Sequence, residues 1–263
     1  MVHLPTSLAD WFTRKRAPAG LAASDRDVYL APHCDDIAFS IGAFAAARGR
    51  GRLVTVFTRS NFALDPGCSN LPIEVLTERR WREEQNFATA CALAPINLGL
   101  SEAPLRDREA MDHSKASEDL AAVSPVVLPA LLALEDEQPA ARRPWLFAPM
   151  GLGGHLDHAI ILHLMAVSRA VLARRFRLAF YEDLPYASWY HERVMGLARF
   201  RALFGRMSWR RLSFPLGPAI QAKLDLISLY GSQHAAPPVI SDFSPHCQPP
   251  QPPHEAVWIN EDP

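Results

Sequence analysis

The sequence predicts an α/β fold: a doubly wound sandwich with a mostly parallel sheet and a less regular C-terminal part. Short runs rich in β-branched and aromatic residues alternate with helical segments through most of the 263 residues. Such alternation is typical of parallel sheets joined by right-handed crossovers. Beyond Pro185 the alternation becomes less regular. The predicted arrangement is therefore Rossmann-like over most of the chain.

The individual elements follow from local patterns and their breakers. The predicted strands are, in chain order, 27–32, 53–57, 96–98, 145–148 and 178–181. The predicted helices are 37–48, 72–93, 120–135, 158–174 and 218–229. Gly49 and Gly51 end the first helix and Pro95 closes the second, because glycine and proline interrupt helices. The polar stretch 99–115 is predicted to be a loop, and long loops of this kind often bind ligands.

The chain is predicted to form a single domain over residues 20–235, followed by a tail over 236–263. A chain of 263 residues can bury a substantial core. Prolines are too dense between Pro237 and Pro253 for regular structure. We therefore expect an extended tail after the domain.

Composition and charge exclude two classes of partner. Apolar residues make up 49% of the chain and charged residues 21%, and the net charge is −1. These are ordinary globular values, and they give no indication of nucleic-acid binding. The chain lacks the run of about 18 apolar residues that a membrane-spanning helix needs, so no span is expected.

Two features bear on where the protein acts. Residues 1–16 lack the apolar core of a signal peptide, and the four cysteines are scattered without a C-x-x-C pair, which is typical of a reducing cytoplasm. The segment from Arg193 to Arg211 interleaves six arginines with aromatic residues. Peripheral contact with a membrane surface is one interpretation, and a solvated helix face or hairpin is the preferred one. A homo-oligomer is compatible with these features.

A dense polar cluster follows the first predicted strand. His33, Asp35 and Asp36 stand within four residues where the strand ends. Ligands of open parallel sheets bind at the carboxyl ends of the strands, so these groups are expected to face a crevice. Burying them is costly unless a metal or specific hydrogen bonds hold them. A helix N-cap is the alternative interpretation of the aspartates taken alone.

A second cluster follows the strand at 145–148. It contains a glycine-rich turn, 151–154, and then His155 and His158, which can face the same side of a helical first turn. A plain glycine turn is the alternative interpretation. Together with His33 and Asp36, one of these histidines would make a two-histidine, one-carboxylate site with an open position, the pattern of catalytic zinc.

The two clusters resemble the signatures of a known enzyme family. The segments Pro32-His33-Cys34-Asp35-Asp36 and His155-Leu156-Asp157-His158 are similar to the P-H-x-D-D and H-x-D-H motifs of the PIG-L/LmbE-like zinc-dependent N-deacetylases. Further similarity includes Thr58, the helix around 80–88, Lys223 and Ser232-Gln233. The resemblance extends over roughly residues 27–234, and two such motifs in one chain are far more specific than either alone.

The resemblance implies a role for each motif residue. His33, Asp36 and His158 would bind one zinc ion per chain, and Asp35 would be the general base. His155 would stabilise the developing oxyanion or protonate the leaving amine. Asp157 would orient a neighbouring histidine.

Substrate contacts are predicted at four further residues, with ordinary structural alternatives left open. Glu102 lies in the polar loop where the family places substrate contacts, and Arg80 lies in the arginine- and glutamate-rich helix. Tyr181 and Asp183 leave a predicted strand at another carboxyl end. Solvated loop charges are the alternative for Glu102, and a plain strand-to-loop transition is the alternative for Tyr181 and Asp183.

The sequence departs from the family pattern at two positions. Cys34 stands where proline is common, and Ile37 stands where glutamate is common. Neither is one of the implied zinc ligands. The missing glutamate removes an expected hydrogen-bond partner of the site, and Cys34 is expected to be an inert buried residue.

The implied function is hydrolysis of the amide of an N-acetylated amino sugar, a GlcNAc-type conjugate, at a single catalytic domain. An amidase acting on a non-sugar or thiol-conjugate amide is one alternative. A non-catalytic relative that retains the metal is another. The presence of both Asp35 and His155 argues against the second alternative, because a structural metal site needs neither.

Overall fold

The computed structural model describes residues 21–68, 70–205 and 207–260. Predictions for 1–16, for residue 20 and for 261–263 fall outside these residues. The strands are β1 (Val28–Ala31), β2 (Arg52–Arg59), β3 (Ala94–Ser101), β4 (Trp145–Pro149), β5 (Arg177–Tyr181), β6 (Trp209–Pro215) and β7 (His254–Asn260). The helices are α1 (Asp36–Arg48), α2 (Ile73–Ala90), α3 (Ala116–Leu132), α4 (Leu156–Val167), α5 (Arg169–Leu172), α6 (Tyr190–Phe204) and α7 (Ile220–Ile227).

The described residues build one seven-stranded sheet in the order β3-β2-β1-β4-β5-β7-β6. The first five strands are parallel, and β7 and β6 complete the sheet in antiparallel fashion. The strand order runs outward from β1 to β3 in one direction and from β4 to β5 in the other. Because crossovers between parallel strands are right-handed, this order places helices on both faces of the sheet. The prediction of an α/β sandwich with a mostly parallel sheet is confirmed.

The order of the strands reverses between β1 and β4, which pair through Val28 with Leu146 and Tyr29 with Phe147. A crevice forms outside the carboxyl ends of the strands at such a switch point. Both polar clusters of the sequence follow these two strands. The fold therefore brings together segments that are about 120 residues apart.

The end of the chain differs from the predicted extended tail. His254–Asn260 forms β7, which lies between β5 and β6 with Phe180 opposite Trp258 and Leu212 opposite Val257. The segment is rich in β-branched and aromatic residues, and the prolines that precede it end before the strand begins. The predicted tail covered residues 236–263 because of its proline density. The prediction was wrong for the residues of β7, which form a regular strand.

Strand β7 also contacts helix α1 through the side chain of Glu255. The helix has non-helical dihedral angles at Ile41 (φ −137°, ψ 32°), and the Glu255 carboxylate accepts hydrogen bonds from the N–H groups of Ala43 at 2.9 Å and Phe44 at 2.7 Å. Lys223 of α7 pairs with the same carboxylate at 2.6 Å. Both side chains of this ion pair are fully buried. The last strand thus stabilises the break in the helix whose first residue is Asp36.

The arginine-rich segment forms α6 and the start of β6, and Arg206 lies outside the described residues. Phe200 and Phe204 are buried in the core, so these aromatic residues do not present a surface to a membrane. Arg193 and Arg211 both pair with Glu182, at 2.8 and 2.6 Å. Burial alone would raise the pKa of Glu182, but the two guanidinium groups lower it to about 2. No helix in the described part of the chain has the length and apolarity to span a membrane.

Candidate active site and metal centre

The first half of the site lies in the turn between β1 and α1. Asp36 is the first residue of α1, and its Oδ2 accepts a hydrogen bond of 2.7 Å from the backbone N–H of His33. Asp35, the residue before the helix, has a positive φ of 121°. A non-glycine residue in that conformation costs about 1–3 kcal/mol, and such strain concentrates at functional sites.

The second half follows β4. Leu152–Gly154 forms a short 3-10 turn, and His155 then caps the N-terminus of α4, with its Nδ1 accepting the N–H of Asp157. Glycine is required at Gly153, because φ is +81° and an added Cβ would lie 2.2 Å from the ring of Tyr186. The glycine-rich turn therefore serves close packing at the site.

Two ring nitrogens and one carboxylate converge between the two halves. His33 Nδ1 and His158 Nε2 lie 3.3 Å apart, and Asp36 approaches His33 Nδ1 with its Oδ2 at 3.5 Å and His158 Nε2 with its Oδ1 at 3.3 Å. The other ring nitrogen of each histidine donates to a carboxylate: His33 Nε2 to Asp157 at 2.9 Å and His158 Nδ1 to Asp183 at 2.7 Å. In the neutral imidazoles, two unprotonated nitrogens thus face a carboxylate, which favours a bound cation.

The geometry of these atoms fits zinc. Zinc–nitrogen and zinc–oxygen bonds of 2.0–2.1 Å in a tetrahedron give a separation of about 3.3 Å between neighbouring donors. The three separations involving His33, Asp36 and His158 are 3.3 to 3.5 Å. His155 belongs to a looser group with the other two histidines, whose ligand atoms lie within 4.8 Å of one another. We prefer the set with Asp36 because its separations are closest to the tetrahedral value.

The partners of the two histidines are themselves fixed. Asp157 also accepts hydrogen bonds from the N–H of Ala103 and from Arg106. Burial would raise the pKa of Asp157, but its bond with His33 and the charge of Arg106 hold the pKa well below its usual range. This is the contact that the predicted orienting role of Asp157 requires. Each of the two imidazoles thus has a buried carboxylate partner, and Ile37 is buried in the core.

Two predicted substrate contacts lie elsewhere. Asp183 is buried beneath the cleft and accepts hydrogen bonds from His158 and from the N–H of Leu152. Tyr181 is fully buried, and its hydroxyl donates to the carbonyl of Leu30. Neither residue lines the cleft. The prediction that they contact substrate is wrong, because both side chains are buried and form hydrogen bonds within the protein.

Arg80 and Glu102 do line the cleft, next to the predicted base. Arg80 pairs with Glu102 at 2.5 Å and with Asp35 at 3.3 Å, and all three side chains are buried. Burial raises the pKa of Asp35 well above its usual range, although the charge of Arg80 opposes the shift. Cys34 is buried, and burial raises the pKa of its thiol too, so it remains the inert residue that we expect.

The cleft above these residues has a volume of about 370 Å³. Its rim is apolar, and part of it is exposed: Phe62, Leu64, Met111 and Trp189 are each about half accessible to solvent. No motif in the sequence marks these four residues. Their positions depend on how separate loops pack, and only the aromatic character of Trp189 could have indicated a binding role.

His155 faces the same cleft. Because its Nδ1 accepts the N–H of Asp157 at 3.2 Å, the proton of the neutral ring resides on Nε2. Burial, with further repulsion from His33 and His158, lowers the pKa of His155 to about 3. The ring is thus a neutral hydrogen-bond donor.

Known proteins are similar to this chain in sequence or in fold. No family model matches the chain. The chain is 33% identical over 217 residues to a 2'-N-acetylparomamine deacetylase of Streptomyces fradiae, a match that spans 79% of this chain and 73% of the relative.

Two solved structures share the fold. The A40926 pseudoaglycone deacetylase superposes with a TM-score of 0.59 at 17% identity, covering 90% of this chain and 97% of that one. The zinc-inhibited form of the teicoplanin deacetylase superposes with a TM-score of 0.62 at 17% identity, covering 89% and 98%. With its two motifs joined in one buried site, the chain belongs to the PIG-L/LmbE-like family of N-deacetylases, hydrolases of amide C–N bonds.

Proposed function

We propose that this protein is a zinc-dependent hydrolase that removes the acetyl group from the nitrogen of an amino sugar within a GlcNAc-type conjugate. The observation that carries the proposal is the convergence of His33, Asp36 and His158 beside Asp35 and His155 at the switch point of the sheet. The 33% identity to a 2'-N-acetylparomamine deacetylase supports the substrate class.

Asp35 is suited to act as the general base. Zinc held by His33, Asp36 and His158 would supply an activated water and polarise the amide carbonyl. The Oδ2 of Asp35 contacts Arg80, and its other oxygen has no hydrogen-bond partner among the described residues, so that oxygen is free to accept a proton in the cleft.

His155 is suited to bind the oxygen that becomes negatively charged. Its Nε2–H is held by the bond between Nδ1 and the backbone, so the donor is fixed before the substrate arrives. Pre-oriented donors of this kind contribute about 10²–10³ in kcat. The tautomer favours a hydrogen-bonding role in the attack step over the alternative of protonating the leaving amine.

The cysteines support a site of action in the cytoplasm. All four, Cys34, Cys68, Cys91 and Cys247, are free. Three of them are buried, where oxidation would disturb the core. We therefore propose a reducing compartment.

The proposal is tested by acetate release from a panel of substrates. Zinc-loaded protein is assayed with 2'-N-acetylparomamine, with methyl N-acetylglucosaminide and with an N-acetylated amine that carries no sugar. We expect turnover of one or both sugars and none of the simple amide. Turnover of the simple amide at a comparable rate would support an amidase instead, and no acetate from any substrate would support a non-catalytic relative.

A further inference from the structure

A second cavity opens from the catalytic cleft. Its volume is about 490 Å³, and it shares Met111, Tyr186 and Trp189 with the cleft. Its remaining lining residues are His113, Gly153, Gly154, Glu192 and Arg199. The two cavities therefore adjoin, and none of the residues that lie only in the second one has a role in the chemistry proposed above.

A row of aromatic rings leads from the metal site into this second cavity. The ring of Tyr186 lies edge-to-face with that of His158 at a centroid distance of 6.0 Å, and Trp189 continues the row at 6.0 Å from Tyr186. Close packing on Gly153 fixes Tyr186. Trp189 has 52% of its surface exposed at the junction. A large indole left open between two cavities is a suitable surface for the C–H face of a ring.

The second cavity also contains an unpaired acid. Among the described residues, no Lys, Arg or His nitrogen lies within 4.0 Å of the Glu192 carboxylate, although the residue is partly buried. Arg199 stands two helical turns further along α6, against the backbone of Gly154. The cavity therefore has an acidic end beside Trp189 and a hydrogen-bond donor at its far end. A ring that bears both an amine and hydroxyl groups matches these two ends.

We propose that this cavity is a subsite for the ring attached to the acetylated sugar. The ligand class is a polyhydroxylated ring that carries an amine, with its apolar face on Trp189 and its ammonium group near Glu192. The inference rests on the proposed function, since it assumes that an amino sugar occupies the cleft. The subsite would contact the second ring, which is the part of the substrate that differs between conjugates.

The test compares a two-ring with a one-ring substrate. The ratio of kcat/KM for 2'-N-acetylparomamine to that for methyl N-acetylglucosaminide is measured in the unaltered protein and in Trp189→Ala. We expect the ratio to fall about tenfold, as for loss of one stacking surface, through KM for the two-ring substrate. The control is Tyr190→Ala, because Tyr190 is equally exposed at 52%, is adjacent in sequence and lines neither cavity.

Glu192→Gln tests the charge, and it also serves if Trp189→Ala fails to fold. We expect the ratio to fall about two- to fivefold at low salt, as for an exposed ion pair, and less at high salt. The effect should disappear with a second ring that carries hydroxyl groups in place of amines.

Each outcome separates the subsite from the proposed function. If the unaltered protein deacetylates the sugars but neither variant changes the ratio, or Tyr190→Ala changes it equally, the subsite is overturned and the function stands. If the unaltered protein deacetylates neither sugar, the function fails and the subsite fails with it.

Discussion

The two parts of the sheet serve the site in different ways. The carboxyl ends of β1 and β4 carry every predicted zinc ligand and the predicted base. The antiparallel strand β7 carries none of them, yet its Glu255 holds the break in α1 and lies against Lys223. Residues that perform the chemistry thus sit at strand ends in short motifs. Residues that hold the motif in place come from the far end of the chain.

The largest expected effect is on the chemical side of this comparison. Asp35→Asn removes the proton acceptor without removing a zinc ligand, so kcat should fall about 10²- to 10⁴-fold with zinc content unchanged. Acetate release and metal analysis of the purified protein check both parts. Asp65→Asn is the matched control, since Asp65 pairs with Arg79 at 3.3 Å just as Asp35 pairs with Arg80, but it lies outside the cleft. Loss of zinc in Asp35→Asn would instead make Asp35 a ligand.

Substitution of Glu255 should lower the stability of the protein more than its activity. Glu255→Gln leaves the buried Lys223 charge without its partner, and breaking such a pair costs about 3–5 kcal/mol. We expect a loss of this size in the free energy of unfolding by denaturant titration. The change in kcat of the zinc-loaded, folded protein should be much smaller than for Asp35→Asn.

A double substitution sharpens this prediction. Lys223→Met removes the charge that Glu255→Gln leaves unpaired. The double variant should therefore lose less free energy of unfolding than the two single variants lose in sum. Strict additivity would show that the two side chains act independently. If kcat of Glu255→Gln fell as far as that of Asp35→Asn, the proposed difference between the two parts of the sheet would be wrong.

The sequence predicts the site better than its support, and the reason is physical. His33, Asp36 and His158 stand in dense clusters after apolar strands, and the rule that parallel strands end at one edge brings the clusters together. Glu255 is a single acid after a run of prolines, 212 residues from the N–H group that it binds. Asp183 is equally isolated in sequence, and only the direction of its side chain distinguishes an anchor of His158 from a substrate contact.

His155→Ala tests the hydrogen-bonding role on the chemical side. We expect kcat to fall about 10²- to 10³-fold, because a fixed donor to the oxyanion is lost. His163→Ala is the control on the same helix, since among the described residues the His163 ring bonds to the carbonyl of Ala159 alone and does not line the cleft. If His155→Ala loses zinc along with activity, the group of three histidines is the metal site and Asp36 is not the third donor.

The smallest expected effect is at Asp183, which supports a predicted zinc ligand without belonging to either motif. Asp183→Asn keeps the shape of the side chain but removes the charge that orients His158, so zinc affinity should fall about 10- to 100-fold. Competition with a chromogenic chelator measures this directly and does not depend on activity. The control is Asp27→Asn, because Asp27 is also buried and ion-paired but contacts Arg48 rather than a histidine and does not line the cleft. Equal losses in the two variants would mean that Asp183 acts through general stability. A loss confined to Asp183→Asn would place this carboxylate with the residues that tune the metal, although no motif announces it in the sequence.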